Sequence, residues 1–161
     1  MKFNDHFFHA VKNILIIALF TLAFVSGNCQ SVKHLKTKNI PFIEANHYFV
    51  NNTYADTALE TPKITSKKEF NEIFGMAPLM GKNGKPTSID FSRQYVLAII
   101  PQTTDRETSL KVKALQQKED VVILTYVKKV GNKMSSRIRP ALILIIDKKY
   151  DGKIRIINAK K

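Results

Sequence analysis

The stretch VVILTYVKKVGNKMSSRIRPALILII, residues 121–146, decides the reading of the fold. It opens and closes on apolar runs rich in β-branched residues, 121–127 and 141–146, with Gly131-Asn132 between them. Such runs read as strands, and glycine at the first of two turn positions is a hairpin signal. A two-residue turn there sets Val130 against Lys133, and counting outward sets Tyr126 opposite Arg137 and Leu124 opposite Arg139. Upstream, the unbroken apolar run 94–100 reads as a strand buried on both faces, and Leu110, Val112 and Ala114 alternate with Lys111 and Lys113. Downstream, Asp151-Gly152 marks a second turn before a strand over 153–157. The pattern predicts an α+β domain: an antiparallel sheet of five or more strands with one or two short helices packed on it.

The clearest helix begins at Ser66. Ser66-Lys67-Lys68-Glu69 has the capping-box pattern, Phe70, Ile73 and Phe74 form one apolar stripe, and Gly75 reads as the C-terminal stop. Residues 76–88, MAPLMGKNGKPTS, carry two prolines and two glycines and fit neither a helix nor a central strand. Residues 30–62 read as an irregular lead-in with one or two short strands, which leaves 63–161 as the α+β domain.

Residues 1–29 read as a signal peptide. Lys2 and Lys12 flank a polar start, and the apolar run 14–25 (ILIIALFTLAFV) is broken only by Thr21. Twelve helical residues span about 18 Å, well short of the hydrocarbon core of a bilayer, so a signal segment fits better than a membrane span. The single cysteine, Cys29, stands where a bacterial lipoprotein carries its acylated residue, with Ser26 and Asn28 in place of the usual aliphatic and small residues. Cleavage after Cys29 or after Gly27 competes with lipidation. The expected location is therefore periplasmic or secreted, with an outer-membrane lipoprotein as the alternative, and contact with a membrane is expected only through a lipid on Cys29.

The order of helix, Gly/Pro loop, IDFSRQYVLAI, polar loop, alternating strand and RPALILIIDK resembles the C-terminal domain of the protease complex subunit PrcB family. It is also similar to a wider set of small exported proteins of Gram-negative bacteria. The matching stretches are 64–75, 89–100 and 139–148. Where that family often has a glycine-rich, tyrosine-bearing turn after its first long strand, this chain has QTTDRET over 102–108. The resemblance implies an accessory exported domain that associates with proteases, and it implies no catalytic residues.

The residues by themselves also point away from catalysis. Beyond the signal segment only His34 and His47 remain as imidazole bases, and no G-x-S-x-G elbow occurs. Residues 75–83, GMAPLMGKN, fail as a phosphate loop because five residues separate the glycines and Asn83 replaces the hydroxyl that binds Mg²⁺. His34 and His47 lack metal-ligand spacing, DKKYDG over 147–152 lacks alternating oxygen ligands, and a lone cysteine supplies no thiolate pair. Neither a metal nor a cofactor is expected.

Charge gives the positive signal. The chain has 26 Lys+Arg against 13 Asp+Glu, a formal +13. Eleven of the basic residues fall in 128–161, against only Asp147 and Asp151. Lys111/Lys113, Arg137/Arg139 and Lys153/Arg155 are i, i+2 pairs, each expected on one face of its strand. No aromatic platform interleaves them, so nucleic acid is not the expected partner. The expected partner is a protein, a protease or another envelope protein, met by Met80, Asn83 and Thr87 on one loop, Gln102 and Thr104 on another, and Arg137 and Arg139 on a strand. The alternative is an anionic envelope polymer, lipopolysaccharide or an acidic glycan, held by the basic strands.

Overall fold

The computed structural model describes residues 37–57, 59, 62–81 and 84–159. The expected signal segment 1–29 with Cys29, and the loop residue Asn83, lie outside the described residues. Within them the chain is α+β, with ten strands and one short α-helix, besides a 3-10 turn at Lys148–Tyr150. In order these are β1 (Lys38–Asn39), β2 (Ile43–Glu44), β3 (Tyr48–Val50), β4 (Lys63–Ile64), α1 (Lys67–Ile73), β5 (Phe74–Met76), β6 (Gln94–Ile99), β7 (Thr104–Lys118), β8 (Val121–Ile138), β9 (Leu142–Asp147) and β10 (Lys153–Asn158). The strands form two four-stranded sheets, β1-β7-β8-β10 (the outer sheet) and β2-β9-β6-β4 (the central sheet), and a β3-β5 ribbon. Every pairing is antiparallel except that of β10 with β8, which is parallel.

The central sheet is buried on both sides, as the unbroken apolar runs require. Alternation in β6 and β9 sends Tyr95, Leu97, Leu142, Leu144 and Ile146 toward the outer sheet, where they pack with Leu115, Val122 and Leu124. The intervening Val96, Ala98, Ile143 and Ile145 face the other way and pack with Val50, Phe70, Ile73 and Phe74. Three layers result: outer sheet, central sheet, then helix and ribbon.

The hairpin lies elsewhere than the glycine signal indicates. Gly131 and Asn132 fall inside β8, and the chain reverses at Glu119-Asp120, where Glu119 takes φ 55 and Lys118 faces Val121. Tyr126 therefore faces Val112 and Leu124 faces Leu115, instead of Arg137 and Arg139. The physical reason is burial. Leu124 is fully buried, and a guanidinium set opposite it would lose its hydration with no compensating partner. Bulges reconcile the two strands: Lys113 is an extra residue on β7, which shifts the inward set from Leu110 and Val112 to Leu115. Further irregularities absorb the surplus of β8 around Gly131-Asn132 and up to Ile138. Asp151-Gly152 also ends no hairpin, since β10 leaves the central sheet and joins the outer one.

Residues 37–50 are more ordered than an irregular lead-in with one or two strands. They supply three strands, one to each sheet: β1 to β7, β2 to β9 and β3 to β5. The helix starts as its sequence predicts, with the Ser66 hydroxyl accepting from the Glu69 N–H at 3.2 Å and Phe70 and Ile73 buried. Its end differs. Gly75 is a strand residue rather than a stop, and Phe49 lies against it so closely that an added Cβ would stand 2.4 Å from the ring. Asn51 closes the helix instead, its backbone N–H donating to Ile73 O and its side-chain amide to Asn71 O and Glu72 O.

Candidate functional site

The expected contact residues fall into two groups. Met80 and Thr87 belong to the loop that follows the ribbon, whereas Gln102, Thr104, Arg137 and Arg139 lie at the far end of the β7–β8 hairpin, where β6 enters it and β9 leaves it.

Arg139 is committed to the fold. Its side chain is only 12% exposed; Nη1 donates to Tyr54 O at 2.8 Å, and Nη2 donates to Ala55 O and to Thr57 O. Nε lies 3.8 Å from Asp56 Oδ1, and the guanidinium stands over the Tyr54 ring. Asp56 Oδ1 in turn accepts from both the N–H and the hydroxyl of Thr103, each at 2.9 Å. The Thr103 bonds hold the Asp56 carboxyl below its ordinary range, with Arg139 and then Arg137 adding to the effect. Tyr54, Ala55, Asp56, Thr103 and Arg139 line a polar cavity of about 360 Å³ together with Arg137. A cavity that already contains a carboxylate, and whose better-placed guanidinium is spent on carbonyls, is a clasp fastening the 51–57 loop rather than a receptor for anions. Arg137 lines it with an exposed side chain, Gln102 is exposed, and Thr104 Oγ1 accepts from Arg106 N at 3.1 Å in the irregular part of the hairpin.

The other group borders a groove. Tyr48 from β3, Phe70 from α1 and Phe91 ahead of β6 form its aromatic floor, with Tyr48 edge-on to Phe70 at 5.1 Å and Phe91 5.8 Å from Phe70. Lys67 on the helix, Lys85 on the loop and Met76 on the ribbon contribute walls, around about 340 Å³. The loop is clipped in place by Thr87: its Oγ1 accepts from Asn46 N at 3.0 Å, its N–H donates to Asn46 O, and its carbonyl accepts from the Tyr48 hydroxyl at 2.7 Å. Burial raises the Tyr48 phenol above its ordinary value, which keeps it a proton donor for that bond. At the loop tip, Leu79 N donates to Gly84 O, and Gly84 sits so close that a Cβ would collide with Leu79 O at 1.7 Å. This tight turn leaves Leu79 65% exposed and Met80 completely exposed, beside Met76 at 60%.

Thr87 is thus a fastener and Met80 a free apolar tip. The groove residues Tyr48, Lys67, Lys85 and Phe91 form no site motif in the sequence, where Lys67 stands out only as part of the capping box. His47 holds φ 64 in the turn ahead of β3 and lines neither cavity. Among the described residues no three His, Cys, Asp or Glu side chains gather as metal ligands, and no helix is long and apolar enough to cross a membrane. No family model matches the chain, and neither curated proteins nor solved structures give a match.

Proposed function

We propose that this is an exported, non-catalytic accessory domain that binds a protein partner, a protease or another envelope protein, through the groove and the loop beside it. The observation that carries the proposal is the exposure of Met76, Leu79 and Met80 next to an aromatic floor flanked by Lys67 and Lys85. Large apolar side chains held out in water by a pinned loop favour association, and methionine adapts its shape to what it meets. The two ammonium groups suit a segment that inserts an apolar side chain and carries a carboxylate beside it. The resemblance to the PrcB family makes a protease-associated role the favoured form of this reading, and the signal-like segment supports export. An anionic envelope polymer is the weaker match to this groove, whose floor is apolar.

The test is retention of envelope proteins on the immobilised unit Leu35–Lys161, which holds both cores, and on its Leu79→Glu/Met80→Glu variant. Both sites are exposed, so the variant should keep its circular dichroism spectrum. The wild type is expected to retain a reproducible protein, and the variant to retain at least about tenfold less, as for loss of a binding hot spot. Equal retention by both, or none by either, overturns the proposal.

A further inference from the structure

The outer sheet has one face against the core and one that neither hydrophobic cluster uses. The strand register determines which side chains share that second face. Lys153, Val121 and Lys118 form one row across β10, β8 and β7, and Arg155, Ile123, Gln116 and Asn39 form the next, the last on β1. Farther along the hairpin, Lys111 faces Val127 and Ser109 faces Lys129 on the same side. Lys111, Lys118, Lys129, Lys153 and Arg155 are all exposed, and the bulged Lys113 beside them is exposed too. Among the described residues, the Glu119-Asp120 turn and Glu107 near Gly131 bring carboxylates to the two ends of this face, and Asp151, just ahead of Lys153, is paired with Lys63; the Lys153–Asp120 pair is long, at 3.9 Å, and open to water.

The pattern has two dimensions. Cations on β7 and on β10 are separated by the width of two strands, about 10 Å, and Lys153 and Arg155 follow each other at about 7 Å along β10. Between them runs an apolar ridge of Val121, Ile123 and Val127, only partly exposed although no described element packs on it. Flanking lysine stems lie along such apolar surface while their ammonium groups reach outward. A linear polyanion would satisfy one row. A flat surface carrying many phosphates satisfies both, and the ridge tolerates contact with it. We infer that this face docks the domain on an anionic lipid surface by charge complementarity with phosphate headgroups. Unlike contact through a lipid on Cys29, this docking belongs to the folded sheet, and it is independent of the groove.

The test is co-sedimentation of Leu35–Lys161, which lacks Cys29, with phosphatidylcholine vesicles and with vesicles containing about 30 mol% phosphatidylglycerol, whose charge attracts basic side chains near the surface. Binding is expected to the anionic vesicles only, and to be lost at about 0.5 M salt, where charges are screened. Lys118→Glu/Lys153→Glu is expected to lower partitioning by about 30-fold or more, since each cation near such a surface contributes about a factor of five. Lys68→Glu/Arg93→Glu makes the same charge change away from the outer sheet and is expected to alter partitioning by less than about threefold. An equal loss in both variants, or no preference for anionic vesicles, overturns the inference. So does retention on soluble polyphosphate as tight as on vesicles with the same loss in the first variant, which would assign the face to a linear polyanion.

Discussion

Leu144→Ala is expected to destabilise the domain by about 3–5 kcal/mol, the range for emptying a buried leucine site that cannot collapse. Leu144 is fully buried on β9, opposite Leu97, which is itself fully buried, and it faces the outer sheet. Its strand is held between β6 and β2, and the sheet's other face is packed against Phe70, Ile73 and Phe74, so neither side can move to fill the void. Domains of this size are stable by only about 5–15 kcal/mol, so the variant should melt more than about 10 °C below the wild type. Ile157→Ala, on the outer face and 39% exposed, is expected to lose less than about 1 kcal/mol. Urea unfolding of both variants checks the contrast, and comparable small losses would mean that β9 is not central.

Arg139→Ala is the second large effect, at about 3 kcal/mol. Its removal takes the donors from three backbone carbonyls and the nearest cation from Asp56. Arg139→Lys should recover little, because a single ammonium on a flexible stem cannot serve three carbonyls set around a planar fork. Arg137→Ala, which removes no hydrogen bond of the clasp, should stay within about 1 kcal/mol of the wild type. Unfolding midpoints of the three variants separate the roles that the sequence could not. Wild-type stability in Arg139→Ala would return Arg139 to the solvent-facing set and undo the clasp.

The two arginines illustrate what the sequence made legible and what it hid. Continuous apolar runs at 94–100 and 141–146 announced strands buried on both faces, and Ser66 with Glu69 announced a helix start, because each of these signals is local. The hairpin register is not local. Glycine at 131 is the stronger turn signal by composition, yet β7 and β8 are paired by their inward apolar sets, and those sets align only if Glu119, without glycine's freedom, accepts a positive φ. The bulge at Lys113 then breaks the alternation that made Lys111 and Lys113 look like neighbours on one face. Residues 37–50 read as irregular in the sequence because their strands are two or three residues long and find partners tens of residues away. For the same reason the groove was visible only in part: its loop stood out by its glycines and prolines, while its floor comes from three separate stretches of chain.

Everything assigned to the outer face depends on that register, which brings Lys111, Lys118, Lys153 and Arg155 to one side. Cysteine pairing tests it directly. Gln116 and Ile123 face each other across β7 and β8, and directly opposed strand positions, with Cα atoms about 4.5–5.5 Å apart, lie within the Cα separation that a disulfide spans. In Leu35–Lys161, Gln116→Cys/Ile123→Cys should oxidise to an intramolecular disulfide with no free thiol, while Tyr126→Cys/Arg137→Cys should keep both thiols free. A disulfide in the second variant and free thiols in the first would place the turn at Gly131-Asn132 and contradict the account.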